Sequence, residues 1–363
     1  MSDPHEVDAR RGTGGFAGDL AAWANSVRSG APAYVGIARL VLDGNGIDKR
    51  FADAWAERVF PAPFDRPLLL FASLRHAALV EGAAHPLHAA LVTAKQVDIS
   101  GKELDEALAR PELWRSLAHR HVQTNETSRA VAWRWPAFLG GCANAQRPLA
   151  LFDLGASAGL NLVADALDDP WLDGQGRPLP CATSPDVILR RGFDARPIDV
   201  RDDDAALWLR ACVWPGDTIR EERLAQAIAA MREARKQVDK VGIETIDLAH
   251  AGARLIELSS NLPPRTLSLA YQSHVRAYLP AATLAAHRGQ MDQWLSQSTA
   301  GSAVWIELEP VLEGGRSPHA ELIAHVRDGG RVREILLATC PHHPRTIAIV
   351  DGAPEELARL LCP

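Results

Sequence analysis

The stretch Pro148-Leu-Ala-Leu-Phe-Asp-Leu-Gly-Ala-Ser-Ala-Gly-Leu-Asn-Leu-Val163 decides how the chain is read. Its apolar run, Leu149 to Leu154, predicts a buried strand. Gly155, Ala156, Ser157, Ala158 and Gly159 predict a tight turn of small residues, and Leu160 to Leu167 a helix. A strand, a small-residue turn and a helix N-terminus make a cradle for an anionic or nucleoside-bearing ligand. The first N–H groups and the positive end of the helix dipole face it. Gly155 and Gly159 let the backbone come close, and Asp153 places an acidic group at the lip.

Upstream of this stretch the pattern is helical. Leu20, Trp23, Ala24 and Val27 share one face, as do Ala52, Trp55, Ala56 and Val59. Pro111 suits the first position of a helix through Leu113, Trp114 and Leu117. Thr127 is placed to cap a helix running to Trp135. Gly140-Gly141 and Arg147-Pro148 end this region. The expected organisation is a disordered leader over residues 1–18, a helical region over 19–147 and an α/β domain over 148–363.

Downstream, strands alternate with helices. Residues 168–185 read as an insertion loop. Val187 to Gly192 reads as a strand ending near Asp194, followed by the extended Pro197 to Val200. Asp202-Asp-Asp204 reads as a solvated helix start. Thr218 and Glu221 match a capping box. Val241 to Ile246 is an expected strand, with Asp247 capping the helix after it. Thr266 to Tyr271 is a strand, Ala281 to Leu295 a helix, Ala303 to Leu308 a strand, and His319 to Val326 a helix. Arg333 to Ala338 and Thr346 to Val350 are too close for a crossover and predict an antiparallel hairpin. Roughly seven strands in this alternation demand a mostly parallel sheet with helices on both faces. Ligands on such sheets bind at the carboxyl ends of the strands, at the switch point.

Composition narrows the classes. The net charge of -6 argues against an extended nucleic-acid surface. The five cysteines are scattered and form no CxxC pair, which suits free thiols in a reducing cytoplasm better than a disulfide framework. No apolar stretch approaches the length of a membrane span. Cys340-Pro-His-His343 invites a metal reading, but no second ligand pair stands at suitable spacing, so a loop between strands is expected and no metal.

Phe152-Asp-Leu-Gly-Ala-Ser-Ala-Gly159, within this order of elements, resembles motif I of the class I S-adenosylmethionine-dependent methyltransferases. The resemblance covers about residues 148–352 and includes the terminal hairpin. It implies a Rossmann-like, seven-stranded sheet whose first turn holds the methionine part of S-adenosylmethionine. Cofactor contacts would then come from Asp153, Gly155, Ala156, Ser157, Gly159 and Asn161. Asp194, with Asp199 as rival, would hold the ribose, Asp247 would lie near the adenine, and Gln272 near the cofactor. Ser273 and His274 would face a small-molecule substrate. Ser157 departs from the third small residue, often Gly, of that turn. No Asn-Pro-Pro-Tyr-like motif follows the fourth strand, which argues against amino-methylation of bases or glutamine by that route.

A second resemblance runs the whole length. Thr124-Asn-Glu126 with Arg129, Leu154 to Leu162, Pro197-Ile-Asp-Val200 and Trp208 to Pro215 resemble an uncharacterised bacterial family known chiefly as a domain of unknown function. It supplies no reaction.

His274 is the first candidate for a general base, because an unperturbed imidazole titrates near neutral pH. Thr124, Asn125, Glu126 and Arg129 are polar groups between apolar helical stretches, expected to fold over the turn, with Glu126 a further acid–base candidate. The leading expectation is a methyltransferase acting on a small molecule or a nucleophilic side chain. The alternatives are a non-catalytic nucleoside-binding module of the same fold and a nicotinamide-dependent oxidoreductase. The latter fingerprint wants Gly at the positions of Ser157 and Leu160. Gly155-Ala-Ser157-Ala-Gly159 also matches G-x-S-x-G, yet the helical half upstream does not supply the strands that precede a nucleophile elbow.

Overall fold

The computed structural model describes residues 15–27, 31–44, 49–60, 64–95, 98–123, 125–167, 170–236, 241–311 and 319–362. The chain divides into two compact units. One comprises residues 1–124 with 201–222, the other residues 125–200 with 223–363.

The first unit is helical throughout its described residues: α1 (Gly15–Val27), α2 (Pro32–Asp43), α3 (Lys49–Trp55), α4 (Asp65–Glu81), α5 (His88–Leu91), α6 (Gly101–Leu108) and α7 (Pro111–His119). Helix α1 begins inside the stretch read as a leader; residues 1–14 lie outside the described residues. Pro111 opens α7 as expected. Trp23 packs on Phe71, which stacks on Tyr34 at a centroid distance of 4.5 Å. Fully buried Arg75 donates to the carbonyls of Leu91, Arg210 and Val213 and pairs with Glu221.

The second unit opens with a 3₁₀ turn, Thr127–Ala130, and α8 (Val131–Leu139). The cap of that turn is Glu126, whose carboxylate accepts the Ser128 N–H, and not Thr127. Then follow β1 (Leu149–Leu154), a 3₁₀ helix (Leu160–Ala166), β2 (Leu172–Asp173) and β3 (Val187–Asp194). Helix α9 (Asp203–Ala211) belongs to the helical unit; its N-cap is Asp202. Helix α10 (Thr218–Ala234) carries the chain back, and it is Asp217, not Thr218, that accepts at its start, from the Arg220 N–H. The remainder is β4 (Val241–Thr245), α11 (Ala251–Ser260), β5 (Leu267–Ser273), α12 (Ala281–Gln297), β6 (Ala303–Pro310), β7 (Ala320–Asp328), β8 (Arg331–Cys340), β9 (Thr346–Ile349) and α13 (Ala353–Leu361).

The sheet has nine strands in the order β2-β9-β8-β7-β6-β5-β1-β3-β4, where the sequence led to an expectation of about seven. Strands β4, β3, β1, β5 and β6 are mutually parallel. From β6 to β9 the sheet becomes an antiparallel meander. The β8–β9 hairpin is the one expected. The helix expected over His319 to Val326 is strand β7 instead. An apolar run of this length fits either element, and Gly329-Gly330, with Gly329 at φ 60°, turns the chain directly from β7 into β8. The stretch read as an insertion loop contributes β2, which pairs parallel with β9 at the far edge.

The core on one face of the sheet sets Phe152, Leu154, Ala270 and Trp305 against Leu255, Met291, Trp294 and Leu295 of α11 and α12. Each large side chain buried there contributes roughly 1.5–3 kcal/mol.

Candidate functional site at the switch point of the sheet

The switch point sits beside β1. From β1 the chain moves outward through β3 and β4, then crosses back to β5 and β6 on the other side. Sheets of this kind bind ligands at the carboxyl ends of the strands at such a point, which here is the end of β1.

The turn there is closed by its own unit. The N–H groups of Gly155 and Ala156 donate to the Phe193 carbonyl at 2.8 and 3.1 Å. The Ser157 N–H donates to Asp194 Oδ2 at 2.7 Å, and the Gly159 N–H to the Ala156 carbonyl at 2.7 Å. Asn125 lies over the turn: its Nδ2 donates to Ser157 Oγ at 2.9 Å, and its Oδ1 accepts from the Ala158 N–H at 3.4 Å. The Ile198 N–H donates to the Ser157 carbonyl at 3.1 Å, tying in the expected extended piece.

Both glycines are required for packing. Gly155 has φ 81°, and a Cβ there would lie 2.6 Å from Val275 Cγ2; Gly159 has φ 70°, and its Cβ would lie 2.9 Å from Ile243 Cδ1. Ser157 also has positive φ, at 52°.

Polar groups lie beneath and beside the turn. Asp153 is buried beside Tyr271, its register partner on β5. Burial, with Asp194 nearby, pushes its carboxyl up to about 7. Asp153 Oδ2, Tyr271 Oη and Asn161 Oδ1 are buried without hydrogen-bond partners. The Asn161 carbonyl accepts from Trp133 Nε1 at 2.8 Å, pinning the 3₁₀ helix. Asp194 also accepts from the Arg196 N–H at 2.7 Å.

At the end of β5 the expected residues part company. Gln272 points into the core, donating to Glu309 Oε1 at 2.9 Å, with its Oε1 2.8 Å from His287 Nε2. Glu309 also accepts the Val275 N–H, and burial pushes its carboxyl up to about 7. Ser273 ends the strand, half-buried and paired with Leu308 of β6. Exposed Asp247 accepts the Ala249 N–H at 2.9 Å, which makes it the expected helix cap; no hydrogen bond joins it to the turn.

His274 adopts φ 56°, its Nε2 is buried without a hydrogen-bond partner, and its ring meets His342 edge-on at 5.2 Å. Burial, followed by Arg129, His342 and His343, pushes its pKa down to about 2. Burial and the neighbouring cations favour the neutral imidazole and make it a weaker proton acceptor, which counts against it as the general base.

Next to Asn125, Glu126 is buried at 3 % exposure. Its Oε1 accepts from the Ser128 N–H and hydroxyl at 3.1 and 2.8 Å and faces Arg223 Nη1 at 3.5 Å; its Oε2 lies 3.1 Å from His343 Nδ1. Arg129 donates to the His342 carbonyl at 3.2 Å. Thr124 lies outside the described residues. The structure thus brings Asn125, Ser157 and Asp194 together at the turn, and gathers Glu126, Arg129 and His274 with His342 and His343. From the sequence, the two histidines are expected in a loop between strands, with a metal reading disfavoured. Among the described residues no group of three or more His, Cys, Asp or Glu is arranged to hold a metal.

A cavity of about 960 Å³ lies elsewhere, where the chain enters β5 and β6, lined by Arg147, Ser260, Thr266 and Ser302 among others. The hydroxyls of Ser260, Thr266 and Ser302 each donate to the carbonyl three residues before them, and Arg147 is spent on four carbonyl contacts. We place the candidate site at the switch point for that reason.

Residues 19–348 match the family model described as uncharacterised protein conserved in bacteria, DUF2332. The chain belongs to that family. No curated protein matches it. Membership covers both units and includes the Asn125–Arg129 segment, the turn and the β8–β9 connection. No described helix is long and apolar enough to cross a membrane.

Proposed function

We propose that the chain binds S-adenosylmethionine at the switch point and transfers its methyl group to a small-molecule or side-chain nucleophile. One observation carries this reading. The turn's N–H groups already have acceptors, while the buried acceptor Asn161 Oδ1 has no donor and the buried Asp153 carboxyl lies against the Tyr271 hydroxyl. A site of that kind disfavours the diphosphate of a dinucleotide, which seeks free N–H groups. It favours a ligand rich in donors and positive charge, and S-adenosylmethionine offers an ammonium, a sulfonium and ribose hydroxyls. The carboxylate of Asp194, at the lip, is the acceptor for the ribose.

Calorimetric titration with S-adenosylhomocysteine tests the reading. Saturable binding that weakens at least tenfold in Asp194→Ala, with none to NADH, supports it. No heat at millimolar ligand sinks it.

The positive φ of Ser157 favours a second reading, a nucleophile elbow on G-x-S-x-G at the end of a central parallel strand. Labelling of Ser157 by a fluorophosphonate probe supports it; an unlabelled Ser157 removes it.

A further inference from the structure

In the cluster formed by Glu126, Arg129, His274, His342 and His343, His343 meets a carboxylate. It sits in the β8–β9 connection, and its side chain is 50 % exposed while that of its partner Glu126 is 3 % exposed. The two ring nitrogens are therefore in different positions. Nδ1 faces Glu126 Oε2 at 3.1 Å. A carboxylate accepts only, so the proton of the neutral ring resides on Nδ1, leaving Nε2 as the basic nitrogen. Glu126 is itself held by the Ser128 N–H and hydroxyl and by Arg223, so the carboxylate is a fixed reference for the ring. Glu126 directly follows Asn125, which bonds Ser157 at the turn. His342, the residue before His343, packs against His274 at the end of β5.

We propose that His343 is the proton acceptor of the candidate site and Glu126 its positioning residue. This rests on the methyl-transfer reading. An acceptor group X–H attacks the methyl carbon of a methylsulfonium donor. The X–C bond forms as the C–S bond breaks, and the C–S electron pair stays on sulfur, which leaves as a neutral thioether. The proton of X–H passes to His343 Nε2, and the imidazolium is stabilised by the Glu126 carboxylate. The division of labour suits both histidines: His274 stays neutral among cations, while His343 has a carboxylate to support the charge it gains. The substrate class that needs such a base is one whose nucleophile carries a proton at neutral pH, such as a phenol, an amide or an imidazole, rather than a thiolate.

The test is carbethoxylation by diethyl pyrocarbonate at pH 8, followed by peptide mass spectrometry of His343, with His343→Gln marking the site. Glu126→Gln and Glu126→Asp are each expected to slow labelling of His343 at least threefold, because Nε2 loses the carboxylate's support. The Asp variant keeps the charge beside Arg223, and a thermal melt of each variant confirms that it is folded. Saturating S-adenosylhomocysteine is expected to protect His343 at least threefold, which a surface ion pair remote from the candidate site would not show. Equal labelling rates in wild type and both variants overturn the positioning role. Labelling indifferent to bound S-adenosylhomocysteine overturns the placement of His343 as the acceptor. Failure of the ligand to bind at all overturns methyl transfer instead, and the Glu126 comparison still judges the pair.

Discussion

Gly155 shows what a single residue decides here. Its φ of 81° lies in the left-handed region, and the space its Cβ would occupy is filled by Val275 Cγ2 at 2.6 Å. Gly155→Ala adds about 1–2 kcal/mol of backbone strain and about 1–3 kcal/mol of overpacking. We expect a loss of roughly 2–5 kcal/mol, read by urea unfolding. Val275→Ala in the same chain should recover the overpacking share and leave the backbone share; a purely additive double variant would show that Val275 is not the obstacle. The sequence marked Gly155 and Gly159 for close approach of the backbone to a ligand. It did not reveal that a Cβ at these positions would also meet Val275 and Ile243, because both lie far away along the chain.

Among the elements, several announced by local chemistry formed where expected, although Glu126 and Asp217 cap where Thr127 and Thr218 were expected to. Pro111 opens α7, Asp247 caps its turn, and Asp202 caps α9 with Oδ1 accepting from the Asp204 and Ala205 N–H groups at 2.8 and 3.3 Å. Asp202→Ala should cost about 1 kcal/mol, within a range of about 0.5–2. The check is again urea unfolding, and an unchanged midpoint would mean that the exposed cap contributes nothing. Strand β7 is the element that local pattern misread. Its burial follows from insertion between β6 and β8, so both faces carry apolar residues and the period of two is lost. The Gly329-Gly330 pair was the available sign of a hairpin.

For the molecule as a whole, pH is the sharpest probe. Asp153 and Glu309 are both pushed up to about 7 by burial. Their folded-state pKa values exceed the unfolded ones, so the folded chain holds more protons between about pH 4 and 7, and stability falls as pH rises through that window. The contribution of each is fully present below about pH 4 and lost above about pH 7, an upper bound of about 4 kcal/mol per group. Glu307 works in the opposite sense. Burial raises its pKa, but His325 and Arg276 more than offset this and bring it down to about 2, so its contribution is lost only as pH falls through that range. Asp153→Asn carries no proton to lose. Its melting temperature relative to wild type should therefore rise between pH 5 and pH 8, measured by differential scanning fluorimetry. A constant difference would show that the Asp153 carboxyl titrates normally.

What the sequence by itself determined is the α/β class, the central strand with its small-residue turn, the helical region before it and the antiparallel hairpin near its end. Each of these rests on short-range physics: apolar runs, glycine at positive φ, capping side chains and connections too short for a crossover. Tertiary structure alone decided that the sheet has nine strands, that Gln272 serves the core, that His274 is kept neutral, and that Glu126 meets His343. Burial and pairing depend on which distant segments arrive at the same place. Glu126 and His343 stand more than two hundred positions apart, and nothing in the neighbourhood of either along the chain encodes the 3.1 Å between them.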